Sequence, residues 1–193
     1  MKYIALLFTL ITMFLTFSGC GEEGTNTSAT AEQGWHFQGR DCLACHNIDL
    51  GDDKHLLFGG TLYKNESVSN QDDLTNVCGG KFVINFLDSS FNTIYSSTDY
   101  EVSDSKGYKA KGNLFVLQRM LPRIASGSYY VQITDENGTV MAVSQSASHL
   151  YTSADYDINN PDDLNNRLVC NACHSNNGIQ SPIYVQANVN LCN

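Results

Sequence analysis

The chain has 193 residues, 42% of them hydrophobic and 16% charged, with a formal net charge of −9. That apolar share supports a packed core and excludes a chain disordered throughout. Without any Lys/Arg cluster to neutralise phosphates, nucleic-acid binding is excluded as a function class, and the acidic surface suits partners with basic patches instead.

Lys2 is a minimal positive n-region, and residues 3–17 form an apolar run too short for a comfortable transmembrane helix. Phe17-Ser18-Gly19-Cys20 resembles the lipobox of bacterial lipoproteins, in which the Cys carries the lipid. Residues 1–19 are therefore expected to be a lipoprotein signal peptide, with Cys20 as the lipid attachment site. Residues 20–34 are small, polar and without hydrophobic period, which predicts a flexible tether. Gly21 stands where Asp would act as an inner-membrane retention signal. The expected location is the cell envelope, lipid-anchored at the outer membrane and facing the periplasm or the cell surface.

A first Cys-x-x-Cys-His follows at Cys42-Leu43-Ala44-Cys45-His46, and a second stands at Cys170-Asn171-Ala172-Cys173-His174. This spacing is the attachment signature for c-type haem. One helical turn sets thiols at i and i+3 beside the two porphyrin vinyl groups, and the next residue turns an imidazole toward the iron. Two haem c groups are thus expected, attached at Cys42, Cys45, Cys170 and Cys173, with His46 and His174 as proximal ligands. Competing readings are a zinc site of the four thiols, a thioredoxin-like redox pair, and a disulfide within each motif. The zinc site leaves both histidines unexplained, the redox pair needs a βαβ context, and the local disulfides would be strained.

Seven cysteines are present. With one assigned to lipid and four to haem, Cys78 and Cys192 remain, and an oxidising compartment favours their pairing as a disulfide. The distal iron ligands stay open among His36, His149, His55 and Met141, with Met120 as a further thioether. Bis-His ligation is expected for at least one haem, with His36 and His149 ahead of His55, and Met141 is the residue whose strand-like surroundings point to the core.

Between the motifs the chain reads as β-structure. Strands are expected at residues 56–63, with a Gly kink, then at 81–88, 93–95, 113–117, 129–134 and 139–143. Asn137-Gly138 between two β-rich runs is a hairpin signal. The expected fold is mainly β, an antiparallel β-sandwich over residues 56–148. Short helical or coil haem-binding segments flank it, at residues 35–55 and at 149–193 with the C-terminal tail.

Residues 39–47 followed by Phe58-Gly59-Gly60-Thr61-Leu62-Tyr63 resemble the opening of exported multihaem cytochromes c that carry a carboxypeptidase-regulatory-like (transthyretin-like) β-sandwich. Leu121-Pro122, Gly127-Ser128-Tyr129-Tyr130-Val131 and Val140-Met141-Ala142 resemble its closing strands, and residues 170–175 the second motif. The resemblance covers roughly residues 34–180, and the acidic stretch at residues 155–163 departs from it. It implies electron transfer in respiration or extracellular electron export, with other cytochromes or respiratory redox proteins as partners. A di-haem enzyme such as a peroxidase and a haem-stabilised binding module are the alternatives. No acid–base constellation for the former stands out in the sequence.

Overall fold

The computed structural model describes residues 38–71, 73–80, 82–97, 112–118, 125–144, 148–151, 159 and 169–192. The expected signal peptide and tether, Cys20, His36 and Met120 lie outside them. Among the described residues there are seven strands, at Leu56–Thr61 (β1), Phe82–Leu87 (β2), Thr93–Ser96 (β3), Asn113–Leu117 (β4), Gly127–Asp135 (β5), Val140–Val143 (β6) and His149–Tyr151 (β7). Two short helices, Cys42–His46 (α1) and Cys170–Cys173 (α2), carry the two Cys-x-x-Cys-His motifs. No helix among the described residues is long and apolar enough to cross a membrane.

Turn chemistry closes two hairpins of the larger sheet. Between β2 and β3, Asp88 Oδ1 accepts from the backbone N–H groups of Ser90 and Asn92 at 2.8 and 2.9 Å, and Phe91 adopts a φ of +62°. Between β5 and β6, Asp135 Oδ1 accepts from the N–H groups of Asn137 and Thr139, and Gly138 takes a φ of +82°. Asp side chains fold the backbone back in this way because a short carboxylate reaches the amides two and four residues ahead. The resulting sheet runs β3-β2-β5-β6, all antiparallel, and β7 pairs with the N-terminal part of β5. β7 begins at His149, the residue at which the sequence reading starts the second haem segment, so the sheet reaches into that segment.

The second sheet is the antiparallel pair β1–β4, with Gly59 opposite Phe115 and Gly60 opposite Leu114. One apolar cluster draws on both sheets: Leu57 and Phe58 of β1, Leu114 and Val116 of β4, and Phe82, Ile84, Phe86, Ile133 and Met141 of the larger sheet. Phe58 and Phe86 meet edge-on at 6.0 Å across it. Burying each such side chain contributes about 1.5–3 kcal/mol, against a net 0.5–1.5 kcal/mol for a ladder hydrogen bond. Shared apolar burial is therefore what holds the sheets together. The fold is mainly β with two antiparallel sheets, as expected from the alternating runs.

β1 is buried at all six positions, which alternation over a single core would not give. The reason is that both of its faces are covered. Leu57 and Phe58 join the main cluster, while Leu56 packs with Leu43 of α1 and with Val169 in a second, smaller one. The chain beyond β1 is also a point of attachment. Tyr63, fully buried, donates its N–H to the Ile183 carbonyl and accepts from the Val185 N–H. Cys78 donates its N–H to the Leu62 carbonyl and is joined to Cys192 by a disulfide with Cα atoms 4.7 Å apart. The C-terminal tail is thereby pinned beside β1, in the pairing expected from the cysteine count.

Candidate haem-binding site on strand β1

Both motif helices pack on β1. The first is short and capped: the Asp41 side chain accepts from the Ala44 N–H at 3.0 Å, which fits the preference for Asp at a helix start. The second has no side-chain cap; Val169, just before it, instead makes a parallel bridge with Gly59.

Neighbouring glycines of β1 face the first thiol of each motif. A Cβ on Gly59 would lie 2.8 Å from Cys42 Cβ and 3.3 Å from its Sγ. A Cβ on Gly60 would lie 2.6 Å from Cys170 Cβ and 3.0 Å from its Sγ. Successive strand residues point to opposite faces, so β1 passes between the two motifs. The apolar neighbourhoods agree, since Cys42 packs on the small cluster and Cys170 on the main one. Glycine in a strand marks a close approach of this kind; here it is what the kink read from the sequence amounts to.

Burial, with the charge of Asp41 adding to it, pushes the Cys42 thiol up to about 12. Burial pushes Cys170 up as well, and Cys42 and Cys173 add to the effect. Among the described residues no group of three or more His, Cys, Asp or Glu gathers to hold a metal ion. A haem iron asks less of the protein, because the porphyrin supplies four donors and side chains only the two axial ones. Cys42, Cys170 and Cys173 are free thiols, whereas Cys45 is disulfide-bonded.

The two motif histidines are oriented alike. His46 Nδ1 lies 2.9 Å from the Lys54 carbonyl, eight residues on, and His174 Nδ1 lies 3.0 Å from the Ser181 carbonyl, seven residues on. A carbonyl only accepts, so Nδ1 carries the proton and Nε2 the lone pair, the tautomer a metal-binding imidazole needs. Each carbonyl is delivered by a tight local turn. After the first motif it is the 3-10 turn Asp52–Lys54, closed by Lys54 N–H to the Gly51 carbonyl at 2.8 Å. After the second, the Gln180 N–H returns to the Cys173 carbonyl at 3.0 Å.

Of the distal candidates, His149 on β7 is brought to the second motif. Its ring centroid is 6.4 Å from that of His174, with the planes inclined by 35°. A second imidazole therefore stands beside His174, the donor type that would complete an axial pair on a haem iron there. His55 is engaged locally, its Nε2 3.1 Å from the Leu50 carbonyl and 3.7 Å from Asp52 Oδ1. Met141 is fully enclosed in the main apolar cluster. His36 lies outside the described residues.

Residues that the sequence reading did not single out complete the site. Asn171, inside the second motif, is 4% exposed and hydrogen-bonds to three groups. Its Oδ1 accepts from the Thr61 N–H at 3.1 Å, and its Nδ2 donates to the Arg40 carbonyl at 2.8 Å and to Thr61 Oγ1 at 3.2 Å. No protein-family model, curated protein or solved structure matches the chain.

Proposed function

We propose that this protein is an electron carrier of the bacterial envelope, with two haem c groups held at Cys42, Cys45 and His46 and at Cys170, Cys173 and His174. The observation that carries the reading is the repetition of one arrangement. Two Cys-x-x-Cys-His helices sit on the same strand, each with its imidazole Nδ1 bonded to a backbone carbonyl a few residues downstream. A disulfide role for the thiols would leave the shared orientation of the two histidines without a purpose. Bound haem would supply a one-electron couple. The chain's own residues would hold it covalently, present Nε2 of His46 and His174, and tune the potential through hydrogen bonds and burial.

His149 supports bis-His ligation at the second motif through its 6.4 Å spacing from His174. Two filled axial positions favour electron transfer over substrate chemistry, which needs an open one. A sulphur in a disulfide cannot form a thioether, so attachment at the first motif requires Cys45 to be reduced beforehand. We read the two sheets as faces of a β-sandwich, with the segment ahead of it as leader, lipid anchor at Cys20 and tether. The acidic charge suits respiratory partners or other cytochromes with basic docking surfaces.

The test is a reductive optical titration of the exported protein. Reversible uptake of two electrons per chain, with low-spin six-coordinate spectra at the second motif, is the expected result. A protein that takes up none, or that turns over peroxide through a high-spin site, would overturn the assignment as a carrier.

A further inference from the structure

We propose that Asn171 and Thr61 are positioning residues that lock the two motifs across β1, so that the two irons form one coupled redox pair; this rests on the haem reading above. Thioether chemistry asks nothing of the two residues between the motif cysteines. Yet Asn171 occupies such a place and ties the second motif to two other parts of the site. Its Nδ2 reaches the carbonyl of Arg40, two residues ahead of Cys42, and its Oδ1 takes the Thr61 N–H, next to Gly60.

Thr61 is fully buried and continues the network. Its Oγ1 accepts from the Gly39 N–H at 3.0 Å and from Asn171, and donates to Asn113 Oδ1 of β4 at 3.0 Å. Each of these polar groups therefore has its partner, as burial demands. An apolar side chain of similar volume would fill the same space without that demand, so packing alone does not call for these residues. What the network adds is register, because a satisfied buried network admits one arrangement of its members. Here the members are the entry to α1, the start of α2, β1 and β4. Gly59 and Gly60 are adjacent, with Cα atoms about 3.8 Å apart, and no side chain of either stands between the two thiol seats. Porphyrins attached at Cys42 and Cys170 would thus be anchored on the two sides of one strand, at a separation that Asn171 and Thr61 fix.

The experiment uses the full exported two-haem protein, with haem content measured by pyridine haemochrome in every variant. Wild type is expected to show magnetic broadening between the oxidised irons in its EPR spectrum, and a midpoint for one haem that depends on the oxidation state of the other. Asn171→Leu and the near-isosteric Thr61→Val should keep two haems but lose the broadening and the mutual shift. Thr61→Ser, which keeps the hydroxyl, should retain both signals. If Asn171→Leu does not fold, Thr61→Val and Asn171→Asp, which lacks the amide donors, decide the matter. A two-haem wild type with independent irons, or variants with unchanged EPR and titration, would overturn the inference. A wild type without haem would overturn the underlying reading instead.

Discussion

Gly60→Ala probes the seat of the second motif. A methyl group there would stand 2.6 Å from Cys170 Cβ and 3.0 Å from its Sγ. Carbon atoms in contact settle at about 3.5–4 Å, so α2 would have to retreat by roughly 1 Å. The obstacle is a Cβ fixed to the backbone rather than the far end of a flexible chain, and Val169 ties the helix entry to Gly59. Overpacking of this kind costs about 1–3 kcal/mol. Replacing a strand glycine by alanine returns about 0.5–1 kcal/mol of unfolded-state entropy. A net loss of about 1–2 kcal/mol is expected, read as a lower urea midpoint at unchanged slope. The displaced thiol should also leave the second motif with less haem, measured by haemochrome and mass. A Gly60→Ala protein of wild-type stability with full haem content would refute the packing of α2 on β1.

Other outcomes follow from the same geometry. His149→Ala should convert one haem from low spin to high spin in EPR and open it to carbon monoxide, while the haem count stays at two. Reducing or replacing the Cys78–Cys192 disulfide releases a closure across 114 residues of sequence. Chain entropy sets that loss at up to about 4–5 kcal/mol in denaturant unfolding. In chains expressed without haem attachment, Cys42 and Cys170 should alkylate more slowly at pH 8 than in denaturant, because partial burial raises both thiols. As Cys42 is raised from 9.0 to about 12, its stabilising share in that haem-free form is complete below pH 9 and is lost as pH climbs through 12. For Asp88 the sign is reversed. The backbone N–H of Asn92, then its side chain, hold this carboxyl below 3.8. Its contribution is present above that pH and disappears as pH falls through the lowered value, and Asp88→Asn should remove that part of the acid sensitivity in a pH-dependent melt.

Much of the frame is legible in the residues because it depends on local chemistry. Asn137-Gly138 and Asp88 announce their turns, and the runs around residues 82–87, 113–117 and 127–135 carry strand composition that the sheets then use. The Cys-x-x-Cys-His spacing is equally local, and one helical turn realises it twice. What could not be read is long-range. Gly59 and Gly60 look like a kink until Cys42 and Cys170 arrive from 17 and 110 residues away. β7 is three residues long, too short for periodicity to register, and its pairing with β5 is what carries His149 to the second motif. Asn171 fills a variable place in a motif, so nothing local distinguishes it from a surface asparagine. The cysteine count, for its part, anticipates Cys78–Cys192 and gives no sign of a disulfide at Cys45.

The most direct measurement is the intact mass of the exported protein after denaturation in acid acetone, set beside its pyridine haemochrome spectrum. Two haem masses retained on the chain, with a haemochrome equal to two haem c per polypeptide, are the result expected of thioethers at Cys42, Cys45, Cys170 and Cys173. A colourless chain, or pigment that washes out of the precipitate, would contradict it.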